Sequence, residues 1–429
     1  MKLERAKGTR DFNVEDRIIR QDILDTLRTI FEKYGFNPIE TPILERLETL
    51  KMKYGGGEEI LKEVFKLKDQ GNRELALRFD LTVPLARYIG MNPNLNMPFK
   101  AYQIGRVFRD GPIKLGRYRE FWQCDVDVVG AKSLMFESEI IKLIQEVFAE
   151  LKLDIVIKIN NRKILDGILD YVGIPKEKRQ DIMLTIDKVE KLKNKEIIEE
   201  LKQKNLDDLK IKKLLKEVYV SSNKNKDIIR DLKDKLKDNG GLKEIEEVLR
   251  FIDNNNVILT PSLARGLSYY TGTIYEVYLK KGEVSGSLAA GGRYDEIIGK
   301  FLDKGDYPAI GVSFGLDVIA DAIGLRKEKA KKSLVEVYII PIKTIDESLK
   351  IVDELRKNNI KVDMDYNGRA VSNNLRYCNA LGIEEVIIVG KKDLQNNEVT
   401  IKNMETGDEK KVKLDKILES LKEQSILTF

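Results

Sequence analysis

The stretch that most constrains the fold is residues 106–130, RVFRDGPIKLGRYREFWQCDVDVVG. A β-rich run over 101–108 meets a loop dense in Gly and Arg, and a second run of alternating character follows over 120–129. That is a hairpin with a long basic tip. Side chains two apart on a strand share a face, so Phe121, Gln123, Asp125 and Asp127 point one way and Trp122, Cys124, Val126 and Val128 the other. The second face is apolar enough to be core. The first carries an amide and two carboxylates that need partners if buried. It is either a solvated outer face or, with Arg109, Arg117 and Arg119 on the same hairpin, a site for a ligand carrying both phosphate and ammonium.

A chain of 429 residues is expected to form two or three domains. Its net charge of +5 makes it mildly basic, which permits a nucleic-acid partner without demanding one. No apolar run reaches the length of a membrane span, and the opening MKLERAKGTRDF lacks the apolar core of a signal peptide, so a cytoplasmic protein is expected. Cys124 and Cys378 lie far apart and match no metal-binding spacing, which indicates neither a disulfide framework nor a zinc site. The histidine count is zero, which excludes Ser/His/Asp hydrolysis, His-ligated metals and imidazole acid–base chemistry. Transfers from nucleophiles that arrive already ionised fit that limit.

Apolar spacing through Ile19, Ile23, Leu27, Ile30 and Phe31 predicts a helix over 18–34, stopped by Gly35. Residues 36–44 are broken by Pro38 and Pro42, which suits an edge strand or a subunit contact. A short strand over 74–79 runs into a helix through Tyr88, with Thr82 as N-cap and Pro84 in the first turn. Asp80 and Thr82 then either only cap that helix or meet a ligand at the strand-to-helix junction. A helix over 133–153 and a strand over 154–159 follow. Residues 162–254, rich in Lys, Glu, Asp, Leu and Ile, read as a separate helical module whose basic faces are solvated or grip a polyanion. Strands are expected over 257–260 and 269–280. Gly291 and Gly292 make a turn or allow close backbone approach to a ligand, with a helix from near Asp295. A strand over 309–314 leads through Gly315 into a helix over 316–323. Beyond a charged linker at 326–333, strands over 335–340, 361–366 and 386–389 alternate with helices over 345–357 and 370–380. A hairpin over 399–412 and a closing helix complete a small α/β domain with a mixed or parallel sheet.

The segments KGTRDF, RFDLTVP, FRDGPIKLGRYREFWQCD, ARGLSYYTGTIYE and GGRYD, in that order, resemble histidyl-tRNA synthetase, a class II aminoacyl-tRNA synthetase, over essentially the whole chain. The resemblance implies an α+β fold. A class II antiparallel-sheet catalytic domain would occupy 1–161 and 255–325, interrupted by a helical insertion at 162–254 and followed by an α/β anticodon-binding domain at 334–429. It also implies a homodimer, with the class II dimer motif around Thr41 and Pro42. The implied reaction ligates L-histidine to its tRNA through a histidyl-adenylate formed from ATP with Mg²⁺. By position, Arg109 resembles the arginine that holds the ATP α-phosphate and the amino-acid carboxylate, and Arg265 the further catalytic arginine across that phosphate. Asp80, Thr82 and Gln123 resemble the residues that take the histidine ammonium. Asp127 and Tyr270 resemble those that read the imidazole, with Tyr294 beside them. Arg117 and Tyr118 belong to the loop that approaches ATP and the tRNA acceptor end, and Gly311 and Gly315 resemble glycines of the ATP site.

The pattern departs at Val318, where the family presents an arginine toward the γ-phosphate; Asp110 and Ser268 are milder changes. That loss leaves open an alternative, a synthetase-like regulatory subunit or a sensor of histidine or tRNA. The missing histidines admit two readings: chance, or a histidine-handling enzyme that can still be made when histidine is scarce.

Overall fold

The computed structural model describes residues 2–53, 61–113, 116–189, 192–219, 222, 224–265, 270–282, 284, 286–302, 307–324 and 331–426. The chain forms two compact units, Met1–Asp11 with Asp22–Arg326, and Phe12–Gln21 with Lys327–Phe429. In chain order the strands of the larger unit are β1 (Asn37–Pro38), β2 (Leu44–Arg46), β3 (Lys66–Lys68), β4 (Glu74–Leu77), β5 (Phe99–Phe108), β6 (Glu120–Val129), β7 (Ile155–Asn161), β8 (Val257–Leu259), β9 (Thr273–Leu279), β10 (Ala289–Arg293) and β11 (Ala309–Gly315).

The expected hairpin is β5–β6, paired from Phe99↔Val129 to Phe108↔Glu120. It belongs to an eight-stranded sheet of order β1-β5-β6-β11-β10-β9-β7-β8. The middle of the sheet is antiparallel, but β1 joins β5 and β8 joins β7 in parallel, so the sheet is mixed at its two edges. Pro38, which has no N–H to donate, sits on the edge strand β1, where that loss costs no ladder bond.

One face of this sheet is sealed by apolar helix stripes. The helix α1 (Val14–Lys33) buries Ile23, Leu27, Ile30 and Phe31, and the helix Met135–Glu150 buries Ile140, Ile141, Ile144, Val147 and Phe148. Phe31 and Phe148 lie 5.6 and 5.9 Å from the Phe314 ring of β11, against the face that carries Cys124, Val126 and Val128. Cross-strand partners share a face. The pairs Gln123↔Gly315, Asp125↔Ser313 and Asp127↔Gly311 therefore occupy the opposite side, where the site lies.

The junction before the helix Thr82–Met91 differs from expectation. Thr82 is the first helical residue rather than the cap, and the Val83 N–H donates to Asp80 Oδ1 at 3.0 Å. The longer reach of an aspartate placed just before the turn takes over that role. Between β7 and β8 the chain forms helices Arg162–Val172, Arg179–Ile186, Asn194–Gln203, Asp208–Val218, Asn225–Leu236 and Gly240–Arg250. Asn161, Asp207 and Asn239 cap three of them with side-chain oxygens. Their apolar stripes, such as Ile164, Leu165, Ile168 and Leu169, are buried.

The second unit holds β12 (Val337–Ile342), β13 (Val362–Met364), β14 (Glu385–Gly390), β15 (Glu398–Asn403) and β16 (Glu409–Lys413) in the order β13-β12-β14-β15-β16. β12 runs parallel to β13 and β14, and the hairpin strands add antiparallel, which makes the sheet mixed as read from the βα alternation. Val337 and Ile339 face one core and Tyr338 and Ile340 another, so β12 is covered on both sides. Most of the charged linker, Ser268 and the first residue of the strand expected over 269–280 lie outside the described residues.

Candidate active site

The polar face of the sheet opens into a cavity of about 600 Å³, within the usual range for a small-molecule site. Gln123, Asp125 and Asp127 of β6 and Gly311, Val312 and Ser313 of β11 form its floor. Asp80 and Thr82 enter from the strand-to-helix junction, Arg109 and Arg117 from the hairpin tip, Arg265 and Tyr270 from the segment before β9, and Tyr294 from the end of β10. The structure thus gathers Asp80, Thr82, Arg109, Arg117, Gln123, Asp127, Arg265, Tyr270, Tyr294 and Gly311 around one space. Tyr118 and Gly315 are not in its lining. Tyr118 instead lies under the Arg10 guanidinium, 3.5 Å from its ring centre.

Each cation is held in place. Arg109 Nε donates to the Phe79 carbonyl at 3.3 Å, and its guanidinium lies 4.3 and 5.0 Å from the Phe79 and Phe121 rings. Stacking leaves the planar fork oriented. Arg265 Nε approaches Glu276 at 3.4 Å, and Nη1 donates to the Gly291 carbonyl at 3.4 Å. Its backbone has a left-handed φ of 47°, a conformation that costs a non-glycine residue and that clusters at functional positions. Arg117 donates to both oxygens of Glu63, at 2.7 and 2.9 Å.

The floor is shaped by absent side chains. A Cβ on Gly311 would stand 1.9 Å from Asp127 Oδ1, so only glycine lets that carboxylate lie across β11. Asp127 accepts a hydrogen bond from the Tyr294 hydroxyl. Behind it Tyr275 is fully buried and donates to the Gly311 carbonyl at 2.7 Å; burial above all raises its phenol pKa, helped by neighbouring Tyr270, Glu137 and Asp127. Gln123 Nε2 donates to Ser313 Oγ at 2.7 Å, whereas Gln123 Oε1 is buried with no hydrogen-bond partner among the described residues. An unpaired amide oxygen on a residue that lines the cavity suits a donor on a ligand.

Several contributors escaped sequence reasoning. Arg78 is buried beside the floor, on the same face over β5, where Nη1 donates to the Thr41 carbonyl at 2.7 Å and Nε to the Arg106 carbonyl at 2.8 Å. Burial lowers its pKa against the opposing pull of Glu40, Asp125 and Glu45. Gly105 makes room, since a Cβ there would meet Arg78 Nη2 at 2.2 Å. Thr41 Oγ1 donates to Gln103 Oε1 at 2.8 Å and Gln103 Nε2 to the Leu81 carbonyl at 3.1 Å, so the segment around Thr41 is tied to the Asp80–Thr82 junction. In GGRYD, Arg293 is structural: it pairs with fully buried Glu137 through bonds of 2.6 and 2.9 Å. Glu63 and Asp187 also line the cavity, and their positions in sequence carry no motif that would have announced it. Val318 is half-buried beside Gly315 and Gly286, while the adjacent Asp317 accepts the Trp122 N–H at 2.9 Å and pairs with Arg10. Among the described residues no group of three or more acidic or thiol side chains is placed to hold a metal ion.

Residues 8–319 match the family described as histidyl-tRNA synthetase, and residues 336–424 the family described as anticodon binding domain. The chain belongs to the histidyl-tRNA synthetase family. Histidine–tRNA ligase 1 of Bacillus cereus is 41% identical over 423 residues, which cover 97% of each chain. The histidine–tRNA ligase of Clostridium tetani is 36% identical over 426 residues, 95% of each chain. The crystal structure of histidyl-tRNA synthetase from Nostoc sp. PCC 7120 superposes with a TM-score of 0.88 at 28% identity, over 99% of this chain and 100% of that one. The family's α+β architecture, with a C-terminal anticodon-binding domain, is the one found here.

Proposed function

We propose that this chain joins L-histidine to its cognate tRNA through a histidyl-adenylate formed from ATP. The observation that carries the reading is one cavity in which oriented guanidinium groups face a floor of carboxylates and an amide. Asp80, Thr82 and Gln123 take the histidine ammonium, with Gln123 Oε1 supplying the oriented acceptor. Asp127, held by Tyr294, reads the imidazole together with Tyr270. A site built to hydrogen-bond both ring nitrogens rejects amino acids that would leave its buried groups unpaired.

In the first step a carboxylate oxygen of histidine attacks the α-phosphorus, a new P–O bond forms, and the bond to the β-phosphate oxygen breaks to release pyrophosphate. The nucleophile is already ionised, so no general base is required, and a chain without histidine can run the reaction. Arg109 and Arg265 neutralise the charge that develops on the phosphoryl oxygens. Arg117, Tyr118 and Gly315 serve the ATP side, while the space over Gly311 is taken by the Asp127 carboxylate. With no three-carboxylate cage among the described residues, Mg²⁺ would arrive on the ATP phosphates and supply Lewis-acid charge there. In the second step a ribose hydroxyl at the tRNA 3′ end takes the acyl group, its proton passing to a phosphate oxygen of the departing AMP.

Two further elements belong to this reading. The chain acts as a homodimer in the cytoplasm, and the dimer contact runs along β1 and the Thr41–Pro42 segment, flanked by the exposed apolar side chains Ile43 and Leu44. The domains divide as catalytic body at 1–161 and 255–325, helical insertion at 162–254, and anticodon-binding domain at 334–429. Histidine-dependent ATP–pyrophosphate exchange, followed by charging of histidine tRNA, is the test. Histidine binding without exchange would overturn the enzyme in favour of the regulatory subunit. Exchange at a normal rate would show that Val318 costs the reaction little.

A further inference from the structure

We infer that Glu63 is a positioning residue for adenylate formation, holding Arg117 so that its guanidinium meets the pyrophosphate end of ATP. This role rests on the reading of the chain as a synthetase. Among the described residues, Arg109, Arg117 and Arg265 are the cations that line the cavity. Arg109 rests on Phe79 and Phe121, and Arg265 on Glu276 and the Gly291 carbonyl, whereas the partner of Arg117 is Glu63. Both contacts to Glu63, at 2.7 and 2.9 Å, come from Arg117 Nη2 alone. Arg117 Nε and Nη1 make no hydrogen bond among the described residues, so the fork can keep Glu63 and still donate to an anion.

Glu63 is the fixed member of the pair. The next residue, Val64, is buried and packs with Leu47, Leu50, Phe79 and Val83. The Glu63 carbonyl accepts the Asp110 N–H at 2.7 Å, which stitches this segment to the hairpin tip. A Cβ on Gly111 would stand 2.9 Å from the Glu63 carboxyl carbon, so the carboxylate lies close against the tip main chain. Arg117 is long and flexible by itself, and ordering it on a fixed acceptor before ATP arrives removes entropy that binding would otherwise have to overcome. The two side chains are 27% and 43% exposed, and an ion pair that open to solvent contributes little to stability. Orientation is what the contact supplies. Since Arg109 and Arg265 serve the α-phosphate, Arg117 is the cavity cation left for the two phosphates that depart. The Glu63 charge also repels phosphate, and a glutamine separates the two effects, because it keeps an acceptor for Nη2 without the charge.

The test is histidine-dependent ATP–pyrophosphate exchange on the full chain, with a melting curve for each variant. Glu63→Ala is expected to raise the KM for ATP and for pyrophosphate about tenfold, while the histidine KM and inhibition by AMP stay within about threefold of wild type. Glu63→Gln should remain within about threefold throughout, since its oxygen still accepts from Nη2. Adding Glu63→Ala to Arg117→Ala should cost nothing beyond Arg117→Ala alone, because the carboxylate then has no fork to hold. Losses that multiply in the double variant give Glu63 an effect of its own and overturn the role, as does an equal rise in the KM values for histidine and ATP. A lower ATP KM in both Glu63 variants would reveal a carboxylate that competes with the phosphates, and an unchanged one a pair without function; either result overturns the role too. Absence of exchange in the wild-type chain would instead sink the synthetase reading before any variant is compared.

Discussion

Gly311→Ala would disturb the imidazole side of the cavity without removing a single polar group. The added Cβ would stand 1.9 Å from Asp127 Oδ1 and 2.7 Å from the Val126 carbonyl. Reaching an ordinary contact of 3.4 Å moves the carboxylate by about 1.5 Å, because the Val126 carbonyl is main chain on the neighbouring strand and yields little. That displacement breaks the hydrogen bond from Tyr294 and takes Asp127 away from the bound imidazole. A hydrogen bond to a charged group contributes about 1.5–3 kcal/mol, which corresponds to a rise in the histidine KM of about 10- to 150-fold. The ATP KM should change by less than about threefold, since Arg109 is anchored on Phe79 and Phe121, away from the altered strand. Overpacking costs about 1–3 kcal/mol of stability, so the assay pairs exchange kinetics at 25 °C with a melting curve. A folded variant with an unchanged histidine KM would refute the role given to Asp127.

Arg293→Met leaves fully buried Glu137 without its guanidinium partner, and about 3–5 kcal/mol of destabilisation is expected, read as a lower thermal midpoint; joint replacement of Glu137 by Leu should recover most of it. Cys124 and Cys378 are both fully buried, and burial pushes the Cys378 thiol up to about 11, so neither should react with a thiol reagent at pH 8 until denaturant is added. Burial works against the charge of Asp365, but hydrogen bonds from Asn374, the 367 and 369 main chain and Arg369 outweigh it and hold its pKa below the ordinary value. A depressed folded pKa contributes stability that is full above the unfolded value of about 4 and is lost as pH falls through the lower folded one. Asp365→Asn should therefore flatten the acid limb of the stability profile of the second unit, measured by unfolding between about pH 5 and 2; an unchanged limb would refute the assignment.

Much of the site was legible in advance because it rests on strand periodicity. Once β6 is a strand, Gln123, Asp125 and Asp127 must share a face, whatever packs around them. The βα rhythm of the second unit likewise needs no tertiary information. At the Asp80–Thr82 junction both side chains carry an oxygen able to cap the helix, and only the backbone path decides that Asp80 rather than Thr82 reaches the turn. Tyr118 and Gly315 were placed with ATP by their motifs, and the cavity lining omits both.

The sequence by itself determined most of the long strands and helices, the polar face of β6 and the arginine-rich tip, since each depends on neighbours a few residues apart. Only the tertiary structure decided that Asp187, in the helical stretch between β7 and β8, lines the same cavity as Arg109 and Asp127, that Glu63 faces Arg117, and that Gly105 and Gly311 exist to admit Arg78 and Asp127. Those relations join residues tens to hundreds of positions apart, and their cause is the close approach of packed main chains. No local pattern of residue types records that distance.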